Sequence, residues 1–317
     1  IAKKLRRMKS ALDKMFVGSS WLPEGKPEFM NNVAGESMRF HEAVIFAAGM
    51  ATMGFHPVVA IYSTFLQRAY DCIHHDVCLQ DLPVIFCMDR AGLSANDGPT
   101  HHGLFDISYL RCLPNVVGMA PKDEDELQDM MFTATLQPHP SFIRYPRGTA
   151  EGVPVKEVPG VVEIGKAEVI RGYRNNGGRK VALFGLGNML SVAKQAAVEL
   201  EKDGLDVAII NPRFFKPLDA AVHQFFAGSA EVVGTLEDHV GMGGYGSAVL
   251  ELLSEQGIAT PVVRLAWPDV FVEHASTVEY LRERHGLTAS NLVRQIRERL
   301  EAGGRQASGR PGIASVA

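Results

Sequence analysis

Short apolar, β-branched runs alternate with stretches of helical period along most of this chain, and that alternation restricts the fold more than any single motif. Pro57-Val-Val-Ala-Ile61 reads as a strand and is followed by a helix over Thr64 to Gln80, with Leu66, Tyr70, Ile73 and Val77 on one face. Leu82 to Met88, Asn115 to Met119 and Ser141 to Tyr145 also read as strands. An alanine-rich helix is predicted over Glu42 to Met53. Another is predicted over Asp123 to Leu136, where an acidic first turn suits the helix dipole. A second series has strands over Lys180 to Phe184, Asp206 to Ile210, Glu231 to Leu236 and Val262 to Leu265. Its helices fall over Asn188 to Asp203, Ser247 to Glu255 and Ala289 to Ala302. Strands separated by helices must be joined by crossovers, which make neighbouring strands parallel. The predicted fold class is therefore α/β, with two doubly wound domains and mainly parallel sheets. Gly152, Pro154, Pro159 and Gly160 interrupt the pattern and mark a linker over 151–162. The division expected is a divergent segment over 1–39, a domain over 40–150, a second domain over 163–302, and a Gly/Ser/Ala/Arg-rich disordered tail over 303–317.

Composition excludes several classes. The chain has 317 residues, 46% hydrophobic and 21% charged, with a net charge of −4, so it is not a general nucleic-acid or membrane binder. Lys3 to Lys14 holds six basic residues and one acid, and reads as a solvated amphipathic helix before it reads as an RNA or lipid contact. No apolar run approaches the ~18 residues of a membrane span and no secretory signal is visible, so a cytoplasmic location is expected. Cys72, Cys78, Cys87 and Cys112 form no CxxC pair and are expected to be reduced, buried thiols. The chain opens on Ile1, so a piece of a longer protein is expected.

The chemistry concentrates in residues 89–103, Asp-Arg-Ala-Gly-Leu-Ser-Ala-Asn-Asp-Gly-Pro-Thr-His-His-Gly. Glycine and proline make this segment a loop, and it directly follows a buried strand, where open α/β sheets place their ligands. Asp97, His101 and His102 could hold a metal, but adjacent side chains rarely converge on one ion, so no metal ligand is assigned. A substrate-binding or proton-shuttling role suits His101 better, with a plain surface histidine as the alternative. Arg90 and Arg147 each follow a strand closely. They suit a phosphate or carboxylate held in bidentate fashion, or else a pair of surface salt bridges. The aromatics of Tyr62-Ser-Thr-Phe65 stand where a strand meets a helix, fit for a flat ring or for core packing. Gly185-Leu-Gly187 and Gly241-Met-Gly-Gly-Tyr-Gly246 are incomplete as dinucleotide fingerprints and read as tight strand-to-helix turns.

Several strings taken together closely resemble the 1-deoxy-D-xylulose-5-phosphate synthase family, which is transketolase-like and thiamine-diphosphate-dependent. They are Ile61-Tyr-Ser-Thr-Phe-Leu-Gln-Arg-Ala-Tyr-Asp71, Asp89-Arg-Ala-Gly92, Asp97-Gly-Pro-Thr-His-His-Gly103 and Arg144-Tyr-Pro-Arg-Gly148. Asn211-Pro-Arg-Phe-Phe-Lys-Pro-Leu-Asp219, Thr235-Leu-Glu-Asp238 and Pro268-Asp269 extend the resemblance, which runs from about Ala43 to about Leu300. It implies a transketolase pyrimidine-binding domain followed by a transketolase C-terminal domain. It further implies the condensation of pyruvate with D-glyceraldehyde 3-phosphate, a homodimer, and thiamine diphosphate held through Mg²⁺. No Gly-Asp-Gly signature is present, so the Mg²⁺ ligands are expected in an N-terminal domain or subunit outside this chain. The resemblance gives Phe65 the role of stacking on the aminopyrimidine ring, with Arg68 nearby. Tyr62, Asp97 and His101 would contact the acceptor's hydroxyl and carbonyl region, and Arg90 and Arg147 its phosphate.

One departure matters. The family's activating glutamate precedes the Ala-Val of the alanine-rich helix by three residues, and counting back from Ala43-Val44 gives Phe40. On a helix Glu36 lies about one turn, ~6 Å, upstream of that position and ~40° off its direction, while Glu42 points nearly opposite. Glu36 is the candidate acid. No strand of the usual first position is found upstream of it.

Overall fold

A computed structural model describes residues 16–18, 33–148, 150–275 and 277–308, with side chains described between residues 40 and 302. Its strands fall into two sheets. The first comprises β1 (Phe16–Gly18), β2 (Val58–Tyr62), β3 (Ile85–Asp89), β4 (Val117–Met119) and β5 (Ser141–Arg144), in the order β1-β2-β3-β5-β4 and all parallel. The second comprises β6 (Glu168–Arg171), β7 (Lys180–Gly185), β8 (Asp206–Asn211), β10 (Val232–Val240) and β11 (Val262–Trp267), in the order β11-β10-β7-β8-β6. Only β6 runs antiparallel in it. The short β9 (Phe214–Lys216) follows β8 in the chain but pairs antiparallel with β4, so it closes the edge of the first sheet.

The strand runs are unbroken in hydrophobicity because both sheet faces are covered. Every residue of β8 and β10 is buried, as are Ile85 to Met88 of β3. The covering helices are α1 (Val33–Thr52), α2 (Asp106–Leu110), α3 (Glu124–Ala134), α4 (Leu190–Lys202), α5 (Ala220–Ser229), α6 (Tyr245–Glu255), α7 (Val278–His285) and α8 (Ala289–Ser308). Asp123 caps α3 by accepting the Glu126 N–H at 2.8 Å, which fixes where the predicted helix starts.

The structure departs from the expectations in several places. The helix predicted over Thr64 to Gln80 is broken into short α and 3₁₀ pieces and ends in a wide π turn over Ile73–Cys78, where Leu79 N–H reaches the His74 carbonyl. Of its predicted apolar face Leu66, Ile73 and Val77 are buried and Tyr70 is half-buried. A first strand, β1, lies beside β2 although none was found in the sequence. Helix α8 carries through Ser308 into the tail that was expected to be disordered, and residues 309–317 lie outside the described residues, as does Lys3 to Lys14. Cys72, Cys78 and Cys87 are buried free thiols, but Cys112 is exposed, because it follows the end of α2.

The two sheets are locked by β9 and by a buried ionic cluster. A Cβ on Gly118 would lie 2.2 Å from the Phe215 ring, so only glycine lets β4 and β9 meet. The Glu126 carboxylate accepts from Arg213 Nε at 2.7 Å, Asn211 Nδ2 at 3.0 Å and the Lys122 backbone N–H at 2.8 Å.

Candidate active site

The site forms where β3 and β5 end side by side. Met88 pairs with Arg144 in register, so Arg90 and Arg147 emerge at the same end of the sheet. Arg90 adopts a left-handed backbone (φ 56°), and its N–H is taken by the Asp89 carboxylate at 2.7 Å. This turns the chain into the loop. Gly92 and Gly103 then exchange two backbone hydrogen bonds of 2.7 and 2.8 Å, which clasp the loop at its base. A Cβ on Gly103 would lie 2.4 Å from the Arg90 carbonyl, so the clasp requires glycine there.

Inside the loop Asp97 joins the two arginines. Arg90 Nε lies 3.3 Å from Asp97 Oδ2, and Arg147 Nη1 bonds Asp97 Oδ1. Asp89 takes Arg90 Nη1 at 2.6 Å. Burial opposes the Asp97 charge, but the bonds from Arg147 and Arg90 outweigh it and hold the carboxyl below its usual range. The Arg90 guanidinium lies 3.8 Å from the Tyr62 ring centroid, a close cation–π contact. Tyr62 stacks on Phe65 at 5.4 Å, and the His101 ring meets Phe65 edge-on at 5.1 Å. Arg68 lies 5.8 Å from the same ring. Arg147, Asp97, Arg90, Tyr62, Phe65 and His101 are thus linked in one chain of contacts. The arginines are ion-paired, as the salt-bridge alternative has it, yet each guanidinium carries five N–H donors, more than these carboxylates engage.

The adjacent imidazoles part company. His101 bonds Thr100 Oγ1 through Nδ1 at 3.0 Å, while Thr64 Oγ1 donates to the Thr100 carbonyl at 3.0 Å and fixes that turn. His102 turns inward, accepting the Ser94 N–H at Nδ1 (3.2 Å) and facing the Glu273 carbonyl with Nε2 (3.4 Å). Burial lowers its pKa, so it stays neutral. Among the described residues no group of three or more His, Cys, Asp or Glu could hold a metal ion.

A cavity of about 430 Å³ opens beside the arginines, lined by Asp89, Arg90, Lys122, Tyr145, Arg147 and Asn188 among others. That is room for a small phosphorylated sugar. Asp97, His101, Tyr62, Phe65 and Arg68 do not line it, so the predicted set splits into the two arginines of a cavity that also holds Asp123, Glu124 and Glu151, and an adjoining aromatic cluster. Lys122 escapes the sequence reading because it sits in no glycine-rich loop, and Asn188 because it follows Gly185-Leu-Gly187, which reads as a tight turn into a helix. The glycines at 241–246 hold no ligand: the Glu237 carboxylate accepts the N–H groups of Tyr245 (2.6 Å) and Gly246 (2.8 Å) and fills that cradle itself. Burial pushes the Glu237 carboxyl up to about 7 against those two donors.

The pyrimidine ring of thiamine would need an open aromatic face and an acid among the described side chains. Phe65, the ring meant to stack on it, already stacks on Phe40 at 5.5 Å as well as on Tyr62. Phe40 offers no proton, and the Glu36 side chain lies outside the described residues, although its backbone belongs to α1. The described side chains therefore offer arginine donors of the kind a phosphate takes, and do not, as they stand, fit an activated thiamine.

Among the described residues no helix is long and apolar enough to cross a membrane. The profile of the transketolase pyrimidine-binding domain matches residues 23–151, and that of the transketolase C-terminal domain matches residues 166–292. A 1-deoxy-D-xylulose-5-phosphate synthase of Methylacidiphilum infernorum is 54% identical over 274 residues, covering 86% of this chain and 42% of the relative. Another, of Acidobacterium capsulatum, is 50% identical over 301 residues, covering 93% of this chain and 47% of the relative. The chain thus spans a little under half the length of these relatives. A solved structure titled a split-gene transketolase, an inactive β4 tetramer, aligns with TM-score 0.74 at 25% identity, covering 93% of this chain and 94% of that one. The chain belongs to the transketolase-like, thiamine-diphosphate-dependent 1-deoxy-D-xylulose-5-phosphate synthase family, of which it carries the pyrimidine-binding and C-terminal domains.

Proposed function

We propose that this chain supplies the acceptor-binding part of a 1-deoxy-D-xylulose-5-phosphate synthase, a transferase that joins pyruvate to D-glyceraldehyde 3-phosphate with loss of CO₂ for isoprenoid and thiamine precursors. The observation that carries the reading is the pair Arg90 and Arg147, set on one carboxylate at the wall of a phosphosugar-sized cavity. Arg90 and Arg147 bind the phosphate through their remaining N–H groups. Tyr62, Asp97 and His101 orient the acceptor's hydroxyl and carbonyl, with His101 moving the proton at that carbonyl. Phe65 and Arg68 border the aminopyrimidine, and Glu36 is the acid beside it. Thiamine diphosphate and its Mg²⁺ come with an N-terminal domain or subunit, without which the chain is inactive. The assembled enzyme is a cytoplasmic homodimer with no nucleic-acid or membrane partner.

The test is to purify the chain, add a matching N-terminal half from a relative, and follow pyruvate consumption with glyceraldehyde 3-phosphate. Turnover only in the mixture supports the reading, and none in the mixture rejects it. A second reading, a subunit of a two-chain transketolase-like enzyme with another acceptor, is favoured by the split-gene neighbour, whose whole chain this one matches in extent. A preference for a non-phosphorylated acceptor in the same assay would select it.

A further inference from the structure

Asp238 stands in β10 of the second sheet, and its carboxylate is 3% exposed. Three donors from three elements converge on it. Oδ1 accepts the Trp267 Nε1–H at 2.7 Å, and Oδ2 accepts Asn188 Nδ2 and Arg282 Nη2, each at 3.0 Å. Burial opposes its charge, but the Arg282 cation and the bonds from Asn188 and Trp267 prevail, so it stays ionised. Its other contacts lead to the site. A Cβ on Gly92, whose φ is +88°, would lie 2.5 Å from Asp238 Oδ2, so the clasp of the 92–103 loop rests on this carboxylate. The Asp238 carbonyl accepts Arg144 Nη2 at 3.0 Å, three residues before Arg147, and the same guanidinium reaches the Gly103 carbonyl at 3.5 Å. Asn188, held by Asp238, lines the cavity with Arg90 and Arg147.

We propose that Asp238 is a positioning residue for the phosphosugar pocket, its carboxylate setting from the second sheet where the clasped loop and Asn188 stand relative to one another. The inference rests on the acceptor-binding reading above. A residue that only fills the core would change stability and leave the pocket's preference alone. A positioning residue changes affinity for the phosphorylated acceptor in particular, because small displacements of a binding group are costly: a ~1 Å misplacement can cost about 100-fold.

The experiment titrates the full chain, wild type and Asp238→Asn, with D-glyceraldehyde 3-phosphate and with inorganic phosphate, alongside thermal unfolding. The expected result is that the wild type binds both and that Asp238→Asn binds each at least about tenfold more weakly while unfolding cooperatively. In the enzyme reconstituted with an N-terminal half, KM for glyceraldehyde 3-phosphate rises by the same factor, while KM for pyruvate and the use of non-phosphorylated D-glyceraldehyde hold. Arg282→Met removes one donor to Asp238 from outside the pocket lining and shows a smaller loss in the same pattern. It carries the test if Asp238→Asn does not fold. Unchanged phosphate affinity in the folded variants overturns the positioning role. A wild-type chain that binds neither phosphate overturns the acceptor-binding reading instead.

Discussion

His239, next to Asp238 in β10, offers a quantitative check on how dry the seam between the sheets is. It is fully buried, donating from Nδ1 to the Val240 carbonyl at 2.7 Å and accepting the Ser108 N–H of α2 at Nε2 (3.3 Å). Burial dominates its ionisation and pulls the imidazole down to about 4, although Asp106, 3.9 Å away, favours the cation. In the unfolded chain the same ring takes a proton near pH 6.5. Between those values the unfolded state binds more protons, so stability falls as pH falls, by about 1.4 kcal/mol per unit and about 3 kcal/mol by pH 4. The neighbouring Glu237 works the other way. Its carboxyl is raised to about 7, so stability grows as pH drops from there toward the ordinary carboxylate range. The wild-type curve alone mixes the two, and a comparison separates them. His239→Gln keeps an acceptor for Ser108 and does not titrate. Urea unfolding of both proteins from pH 7.5 to 4 should show the wild type's advantage over the variant shrinking by about 3 kcal/mol below pH 6.5. Parallel curves would refute the claim that the fold holds this imidazole neutral.

Two further outcomes concern the activating acid and the seam. In the reconstituted enzyme Glu36→Gln lowers kcat by about 100-fold or more, the scale of a positioned acid, and adding Phe40→Glu restores it because the two positions lie one turn apart on α1; undiminished turnover in Glu36→Gln removes that residue from the site. Gly118→Ala drives a methyl into the fully buried Phe215 ring and costs about 2 kcal/mol, seen as an earlier urea midpoint and faster proteolysis near β9; a midpoint within error of wild type means that the ring gives way.

What the sequence disclosed follows from where the physics is local. Leu82 to Met88 is legible because a parallel strand buried on both faces needs an unbroken apolar run. Arg90 and Arg147 are legible because they follow strands and carry charge that a core rejects. Their adjacency is a matter of register, Met88 against Arg144, and the sequence does not contain it directly. Asp238 carries no local signal beyond its place in the string Thr235-Leu-Glu-Asp238. Its meaning lies in partners from 188, 267 and 282, far along the chain. β9 has only three residues, lies between Pro212 and Pro217, and is built by pairing across the domain seam, so no local pattern marks it.

The charge balance at the pocket bears on how a phosphosugar would be held there under the proposed function. Arg90 and Arg147 face Asp89 and Asp97, and the cavity adds Lys122 against Asp123, Glu124 and Glu151, so its charge leans acidic and gives a dianion no attraction at long range. Affinity must then come from direction: N–H groups held where phosphate oxygens arrive, with Asp97 fixing both guanidiniums before the ligand enters. Such a site depends on the rigidity of what supports it, and the support comes from the second sheet through Asp238 and from the first through the glycine clasp. The segment around Phe40 meets this network through the Phe40–Phe65 stack, at 5.5 Å. On the proposed reading, acceptor grip and cofactor activation rest on different residues of this chain, Arg90, Asp97 and Arg147 for the first and Glu36 for the second, because Phe40 offers no proton.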